Sequence, residues 1–394
     1  MEHGKTPKIR FHGFNDNWEV RKLGDLAEIG DIDHRMPETV DNGIPYLMTG
    51  DFININELNF SGVKHISLED YKKLSSKIKP EKHDILFARY ATIGAVRYVD
   101  FTGDFLISYS CAIIKNSKKI YSKYLYHFLT SDMAQGQIQL EVNTGSQGNI
   151  GIETMKNNIN VSFPTHAEQQ RIGEYFSRLD DLIGLYKRKL EKSLNFKKAM
   201  LAKMFPQNGK PTPQIRFAGF SDNWEVRKLG EVATRHDNLR VPIAEKDRIE
   251  GCTPYYGANG IQDYVKGYTH NGEFILVAED GANDLTNYPV QYVVGKIWVN
   301  NHAHVLQAIE RVSYCKCLKY AIHRTNIEPF LVGGSRAKLN AAIMMDISIP
   351  LPTHAEQQRI GEYFSRLDDL IGLYKRKLEK SLNLKKAMLE KMFP

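Results

Sequence analysis

The chain has 394 residues and a formal net charge of +7 at pH 7, and its hydrophobic and charged fractions of 42% and 25% are those of an ordinary globular protein. This length allows two or more domains, each with its own core. No apolar run approaches the roughly 18 residues that cross a membrane, and the polar beginning of the chain excludes a secretory signal, so we expect a cytoplasmic protein without a membrane partner.

Two sequence motifs form a frame that occurs twice along the chain. Residues 9–24 recur at 215–230 with two substitutions, and residues 164–206 recur at 352–394, again with two substitutions. A repeat of this kind predicts a pseudo-twofold protein in which two modules share one frame.

Two stretches of unlike sequence fill this frame, at about 25–163 and 231–351. Apolar runs such as 84–88 and 274–278 alternate with turn-rich segments, which predicts mixed α/β blocks with predominantly β character. The predicted fold class is therefore α+β, with two β-rich mixed α/β domains joined by two long antiparallel coiled-coil helices in a pseudo-twofold internal repeat. In chain order, the predicted segments are a first domain at 1–163, a helix at 164–206, a linker at 207–214, a second domain at 215–351 and a second helix at 352–394.

Polar and aromatic residues collect in glycine-punctuated loops beside the predicted strands of both blocks. One such loop follows a strand in each block, at 89–94 and 279–283, and a Gly-Ser loop lies near the end of each block, at 145–149 and 334–338. Asn, Gln and Arg side chains can pair with base edges in the major groove, and Ser, Lys and the amides of Gly-rich turns suit phosphate contacts. Ordinary turn chemistry is the alternative for each of these residues. The candidate DNA-binding residues are Arg89, Tyr90, Thr92, Ser146, Gln147, Asn149, Tyr256, Asn259, Asn283, Asn301, His302, Ser335, Arg336 and Lys338.

The chain offers no convincing metal site. Four cysteines fall far short of a disulfide framework, and Cys315 and Cys317 lack zinc-type spacing, so we expect reduced thiols. We interpret His302 and His304 as structural residues rather than metal ligands.

Each copy of the 43-residue repeat predicts one long helix after a short extended entry. Thr165 followed by Glu168 predicts a capping box at its start, and at about 1.5 Å per residue the helix would be on the order of 60 Å long. Apolar residues recur at steps of four and three, the seam of a coiled coil, and beyond Leu190 the seam should slip to Leu194, Leu201 and Phe205. Such a seam needs a partner, and pseudo-twofold symmetry makes the second copy an antiparallel one. The predicted seam residues are Ile172, Phe176, Leu179, Ile183, Tyr186, Leu190, Ile360, Phe364, Leu367, Ile371, Tyr374 and Leu378.

The positive charge concentrates in the second half of each predicted helix. Residues 187–203 contain seven Lys or Arg and one Glu, and the copy at 375–391 contains seven and two. A solvated helix face and a surface for a polyanion both explain such a stripe.

Catalytic motifs are missing from the sequence. It contains no Asn/Asp-Pro-Pro-aromatic motif of adenine methyltransferases, no Gly-rich nucleotide loop after a strand and no His-Glu-x-x-His. The acidic residues form no convincing nuclease cluster. This pattern indicates a binding protein that carries out no reaction itself.

The frame motifs, at 11–24 and 164–172 with their copies, resemble the specificity subunit of type I restriction-modification systems. The segments 255–260 and 300–304 are similar to parts of that family's target-recognition domains. The resemblance implies two target-recognition domains that each read one half of a split, asymmetric double-stranded DNA sequence, with the paired helices as a spacer. It further implies two modification subunits that methylate adenine N6 with S-adenosylmethionine, and two restriction subunits that complete an ATP- and Mg-dependent endonuclease. Catalysis and cofactors would then belong to these partners and none to this chain.

Two other classes of function stay open at this point. A self-contained methyltransferase or nuclease with degenerate motifs would act on DNA without an added subunit. A coiled-coil scaffold that presents two β-rich modules to other proteins would show no salt-sensitive binding to duplex DNA.

Overall fold

The computed structural model describes residues 6–145, 148–207, 209–334 and 337–394. The chain divides into two compact units, Met1–Arg188 with Lys375–Pro394 (unit 1) and Lys189–Tyr374 (unit 2). Each unit combines one variable block with a part of each long helix. The predicted class, two β-rich mixed domains with long helices in an internal repeat, is confirmed.

The first variable block and its frame contain strands and helices that all lie in unit 1, together with a 3-10 helix at Thr49–Asp51. The strands are β1 (Glu19–Lys22), β2 (Ile29–Gly30), β3 (Ile44–Leu47), β4 (Phe52–Ile53), β5 (Glu57–Leu58), β6 (Lys64–Ile66), β7 (Ile85–Ala88), β8 (Val96–Tyr98), β9 (Leu106–Ile107), β10 (Cys111–Ile114) and β11 (Asn160–Phe163). The helices are α1 (Leu23–Leu26), α2 (Leu68–Leu74), α3 (Ser122–Leu129), α4 (Asp132–Leu140) and α5 (Ile152–Asn158).

The long helix α6 (His166–Met204) follows, and then the second block, whose strands and short helices lie in unit 2. The strands are β12 (Glu225–Lys228), β13 (Ala233–Arg235), β14 (Glu250–Gly257), β15 (Gly260–Val265), β16 (His270–Ala278), β17 (Val290–Val299), β18 (Ala303–Ala308), β19 (Leu331–Val332), β20 (Lys338–Leu339) and β21 (Ser348–Leu351). The helices are α7 (Leu229–Val232), α8 (Cys315–Arg324), α9 (Ala341–Met345) and the long α10 (His354–Met392), with 3-10 helices at Asp237–Leu239, Glu245–Asp247 and Glu328–Phe330. None of the described helices is both long and apolar enough to cross a membrane.

A two-stranded antiparallel pair closes each variable block at its base, and we call it the clasp. In unit 1, β1 pairs with β11, so that Glu19 lies opposite Phe163. In unit 2, β12 pairs with β21 in the same register, with Glu225 opposite Leu351. Each block therefore begins and ends at neighbouring positions of the repeated frame.

The two blocks share one strand topology although their sequences are unlike. In unit 1, four antiparallel strands lie in the order β2-β10-β7-β8, and the order β13-β18-β16-β17 repeats this arrangement in unit 2. Each unit also contains one parallel pair: β3 pairs with β9 in a separate sheet of unit 1, ordered β6-β3-β9, and β14 pairs with the end of β17 within the main sheet of unit 2. The loops that follow β7 and β16 are therefore equivalent, and so are the turns that precede β10 and β18.

Aromatic residues of the frame occupy equivalent places in the two cores. Trp18 is buried in the main core of unit 1, and Trp224 is buried in that of unit 2. Burial of an indole removes a large apolar area from water, which stabilises the core around it. The repeated frame residues therefore form equivalent parts of the two cores.

The long helices pair antiparallel within each unit, as the seam predicts. In unit 1 the rings of Phe176 and Phe393 stack with centroids 5.7 Å apart, and Asp180 accepts a hydrogen bond from Lys385 at 2.5 Å. Residue numbers therefore rise along one helix as they fall along the other. In unit 2, Phe364 lies 6.1 Å from Phe205 in the same way. Every predicted seam residue is buried or half-buried: Ile172, Phe176, Leu179, Ile183, Ile360 and Phe364 are buried, and Tyr186, Leu190, Leu367, Ile371, Tyr374 and Leu378 are half-buried.

Beyond Leu190, the prediction for the seam is confirmed at Leu201 and Phe205, which are buried, and is wrong at Leu194. Leu194 is 48% exposed. The equivalent stretch of α10 instead turns Ser381 and Lys385 inward, and the carboxylate of Asp180 satisfies the Lys385 ammonium there. A polar pair at such a position specifies register, since any other alignment would bury an unpaired charge. Part of the basic stripe is therefore used between the helices.

The start of each long helix is held by an ion pair. The carboxylate of Glu168, which we predicted to complete a capping box, instead accepts two bonds from Arg10, at 2.8 and 2.7 Å. Glu356 accepts the same pair of bonds from Arg216 in unit 2. Because both carboxylates are fully buried, they need a cation, and the frame motif supplies it.

Candidate nucleic-acid interface

Three loops of unit 1 meet at the end of β7, where the predicted residues of the first block lie. The N–H of Arg89 donates to the carbonyl of Ser110 at 2.9 Å, and the carbonyl of Arg89 accepts from the N–H of Ile150 at 3.2 Å. Tyr90 forms a β-bridge with Asn149. These backbone contacts bring together the loop after β7, the turn before β10 and the end of the Gly-Ser loop. We call this surface the loop face of unit 1.

The predicted residues of unit 1 differ in exposure. Thr92 is exposed, and Tyr90 and Asn149 are half-buried at the loop face. Arg89 is only 6% exposed, and its guanidinium donates to a backbone carbonyl and to the carboxylate of Asp31. The Arg89 side chain therefore lies beneath the loop face, where a buried charge needs such partners.

Tyr109 and His34 also belong to the loop face of unit 1, and the sequence interpretation missed both. Their rings stack with centroids 4.9 Å apart, and the His34 imidazole lies 2.8 Å from the carboxylate of Asp31. Tyr109 occupies the position that Asn301 occupies in unit 2, because each is the middle residue of the turn before an equivalent strand. The available signal was a polar and aromatic turn, Ser-Tyr-Ser, directly after an apolar strand.

In unit 2, side chains hold the predicted loops together. The amide nitrogen of Asn259 donates to the carbonyl of Gly281 at 2.8 Å, and its oxygen accepts from the N–H of Asn283 at 3.0 Å. The N–H of Asn300 donates to the carbonyl of Tyr256 at 3.1 Å. The loop after β14 therefore lies between the loops that follow β16 and β17.

The loop after β16 also contacts the segment after the second Gly-Ser loop. The N–H of Glu279 donates to the carbonyl of His302 at 2.9 Å, and the imidazole of His302 bonds to the carboxylate of Asp280. Asp280 forms a β-bridge with Lys338. These four loops form the loop face of unit 2, at the sheet edge equivalent to that of unit 1.

The loop face of unit 2 presents mainly amides, an imidazole and an ammonium group. Asn259, Asn283 and Asn301 are exposed, whereas Tyr256, His302 and Lys338 are half-buried. The amide of Asn259 is engaged in holding the loops. The remaining groups combine hydrogen-bond donors and acceptors at short spacing, which suits recognition of base edges and phosphates.

Four predicted residues, Ser146, Gln147, Ser335 and Arg336, lie outside the described residues. The segments that follow them are placed equivalently in the two units. The N–H of Ile150 donates to the carbonyl of Arg89, and the N–H of Leu339 donates to that of Glu279.

A cluster of potential metal ligands in unit 2 is occupied by protein cations. Asp237, Glu279 and His304 each place one ligand atom within 4.8 Å of the others. Arg240 lies 2.6 Å from the carboxylate of Glu279, and the imidazole of His304 lies 2.7 Å from that of Asp237. Burial raises the pKa of Asp237, but hydrogen bonds from His304 and the Val305 amide outweigh it and leave the pKa below its ordinary 3.8. The network of ion pairs accounts for the cluster without a metal.

Comparison with known proteins identifies the family. A family model described as the type I restriction modification DNA specificity domain matches residues 15–195 and 221–383. A Haemophilus influenzae protein named "Putative type I restriction enzyme specificity subunit" is 45% identical over 146 residues, which span 37% of this chain and 38% of that protein. The MjaVIII specificity subunit of Methanocaldococcus jannaschii is 21% identical over 418 residues, covering 96% of this chain and 93% of that protein.

The fold is shared with a solved structure of the same description. The crystal structure of a type I restriction-modification S subunit from M. genitalium matches with a TM-score of 0.75 and 18% identity, covering 99% of each chain. The family model matches far more than half of the chain, with one match in each repeat. The chain therefore belongs to the type I restriction-modification DNA specificity family, whose members are the non-catalytic specificity subunits of these systems.

Proposed function

We propose that this chain reads a bipartite duplex DNA target, with the loop face of unit 1 on one half-site and that of unit 2 on the other. One observation carries the proposal: the two loop faces lie at equivalent edges of one strand topology but present different side chains. Unit 1 offers Tyr90, Thr92 and Tyr109, whereas unit 2 offers Asn283 and Asn301. Two readers of unlike half-sites need this combination of a shared scaffold and divergent surfaces.

The chemistry of each group at the loop faces indicates whether it contacts bases or phosphates. Asn283 and Asn301 carry the amide that pairs in two places with adenine, and the Tyr and Thr hydroxyls of unit 1 bond to base edges or phosphates. Lys338 contacts phosphate, because an ammonium group acts as a point charge that displaces counterions. For Arg336 we also propose a phosphate contact, so Arg336→Ala should weaken binding evenly across sequences and make the salt dependence shallower. Loss of preference at one base pair would instead assign Arg336 to a guanine.

The long helices act as the spacer in this proposal. Their near-identical sequences and polar seam pairs, Asp180 with Lys385 and Asp368 with Lys197, define a single antiparallel register. In this proposal the length of the helices sets the gap between the two half-sites.

The repeated frame offers two equivalent surfaces to identical partners. Leu185 and Leu384 are exposed in unit 1, and their equivalents Leu373 and Phe196 are exposed in unit 2. We propose that two modification subunits bind there and methylate adenine N6 with S-adenosylmethionine. Two restriction subunits that use ATP and Mg complete the endonuclease, and all of these cofactors are bound by the partners.

Exchange of one block tests the proposal. The chain is coexpressed with its modification subunit in a host without adenine methylation, and N6-methyladenine is mapped by single-molecule sequencing. Residues 231–351 are then replaced by the corresponding block of a related chain. One half of the methylated sequence should change while the other half and the gap between them stay the same.

The reciprocal exchange of residues 25–163 is the matched control and should change the other half alone. A change in both halves after either exchange would rule out independent readers. A protein scaffold without DNA recognition would yield no methylated bipartite sequence and no salt-sensitive duplex binding by the complex.

A further inference from the structure

The residue that directly follows a central strand in each unit contacts the loop face through both its backbone and its side chain. In unit 1 this residue is Arg89 after β7, and in unit 2 it is Glu279 after β16. The backbone of each one bonds to two loops of the loop face in the same pattern. Their side chains, at the same place in the same topology, carry opposite charge.

In unit 1 the buried cation reaches three loops. The Arg89 guanidinium bonds to the carboxylate of Asp31, donates to the carbonyl of Ile150 at 2.9 Å and lies 3.4 Å from the carbonyl of Tyr109. Asp31 in turn contacts His34, whose ring stacks on Tyr109. The loop after β2, the turn before β10 and the end of the Gly-Ser loop are all fixed through one side chain.

In unit 2 the polarity is reversed and the connections are the same. The carboxylate of Glu279 accepts from Arg240 at 2.6 Å and from the Lys338 ammonium at 2.9 Å. Arg240, which comes from the segment after β13, also donates to the carbonyl of Ala303 at 3.0 Å and lies 3.4 Å from that of Asn301. Again one partly buried ion pair fixes the segment after the first strand of the sheet, the turn before β18 and the end of the Gly-Ser loop.

We propose that Arg89 and Glu279 are equivalent positioning residues of opposite charge, each of which sets the geometry of the recognition loops above it. The proposal rests on the proposed function. A buried ion pair adds little net stability compared with a well-packed apolar pair, but it holds its neighbours in one arrangement. The reversal also has a consequence at the surface, since the carboxylate of Glu279 fixes the Lys338 ammonium at the loop face while the cation of unit 1 stays inside.

The same strand of unit 1 provides a matched control at its other end. Asp84 precedes β7 and is buried, and it accepts a bond from Lys115 at 2.6 Å. Arg89→Met and Lys115→Met each remove one cation from a carboxylate beside β7, but only Arg89 contacts the recognition loops. Damage to the sheet alone would affect DNA reading equally in the two variants.

The experiment measures sequence discrimination by the assembled modification complex. Methylation rates are compared between the target and duplexes with one changed base pair in either half-site, where discrimination per base pair is about 5- to 150-fold. In Arg89→Met, the methylation rates for the target and for a duplex with one changed base pair in one half-site should differ by no more than about threefold. The other half-site should keep its full discrimination. Lys115→Met should keep both. Glu279→Leu should affect the half-site that Arg89→Met spares.

A charge-reversal pair keeps the test decisive if Arg89→Met fails to fold. Arg89→Glu alone should abolish discrimination in its half-site, and Asp31→Arg added to it should restore a part, because the pair then has the polarity of unit 2. Hydrogen exchange at the Ile150 amide should accelerate in Arg89→Met and not in Lys115→Met.

Equal loss in the Arg89 and Lys115 variants, or unchanged discrimination in Arg89→Met, would overturn the positioning role while the wild-type complex still reads a bipartite site. A wild-type complex that shows no discrimination at all would overturn the proposed function and this inference together. These two failures are therefore distinguishable.

Discussion

Gly173 lies where α6 touches α3, and replacing it by alanine should weaken unit 1. An added Cβ would stand 2.9 Å from the backbone nitrogen of Tyr124 and 3.0 Å from a ring carbon of Tyr121. Gly184, about three turns further along the same helix, would place its Cβ 3.3 Å from the flexible end of Arg188. The sequence shows two glycines in one helix, but only the first marks a close approach of backbones.

The expected magnitudes follow from two opposing effects. Alanine is preferred over glycine inside a helix by roughly 1 kcal/mol, and Gly184→Ala should keep most of this gain. At Gly173 the new methyl group forces α3 away from α6, and overpacking of this kind costs about 1–3 kcal/mol. The retreat also stretches the bond from the Tyr121 hydroxyl to Glu174, now 2.6 Å, and that from the Tyr121 N–H to Gln169, now 2.8 Å. We expect Gly173→Ala to lose about 1–2 kcal/mol net.

Hydrogen exchange followed by mass spectrometry measures this change locally, because protection of an amide reports the free energy of opening. Peptides from α3 should lose about tenfold in protection in Gly173→Ala, while those from α8 serve as the internal reference. Gly361→Ala should produce the mirror result in α8, since its Cβ would stand 2.9 Å from the backbone nitrogen of Cys317. Full protection of α3 in Gly173→Ala, or an equal loss in Gly184→Ala, would refute the close-approach argument.

Three further outcomes follow from the helices and their surroundings. A fragment of residues 1–206 should form a twofold dimer, because Asp180 of one copy can pair with Lys197 of the other. Analytical ultracentrifugation measures the dimer, and Asp180→Lys should leave the fragment monomeric. Burial lowers the pKa of His127 well below 6.5, so below pH 6.5 the unfolded chain binds a proton at this residue and the folded chain does not. The free energy of unfolding should therefore fall as the pH drops below about 6.5, by at most about 1.4 kcal/mol per pH unit. Urea unfolding at pH 7.5 and 5.5 should show a smaller loss in His127→Phe, and an equal loss would exclude His127 as the source. Insertion of four residues near Leu190 should change the gap between half-sites or abolish methylation; an altered half-sequence with an unchanged gap would contradict the spacer role.

The repeated frame and the long helices could be predicted because their signals are local. The 3.5-residue spacing of Ile172, Phe176 and Leu179 is visible in one stretch of chain, and so is its copy. The strand ends that carry the loops of the two loop faces were predictable for the same reason. The burial of Leu194 was predicted wrongly because the apolar pattern alone does not show that Lys385 points inward and pairs with Asp180.

The partners of the loop residues could not be predicted from local patterns. Arg89 has the residue type and the loop position of a base-contacting residue, and its contacts with Asp31, 58 residues earlier, and with the carbonyl of Ile150 show that it faces inward. Tyr109 became recognisable once the two topologies could be aligned through their hydrogen bonds, since the blocks share little sequence. Whether Tyr90, Thr92, Asn283 and Asn301 contact DNA stays a prediction.

The clasps make each variable block, from the standpoint of the frame, a loop whose two ends are fixed side by side. The entropic cost of closing such a loop grows with the logarithm of its length, by only about 0.6 kcal/mol per doubling. A block can therefore gain or lose a hairpin with little change in the free energy of loop closure. The second block is 18 residues shorter than the first. Evolution can therefore replace a whole block in one genetic exchange, provided that the newcomer ends in a strand that fits the four-residue pairing with the frame and carries a helix that packs on the long helix as α3 does.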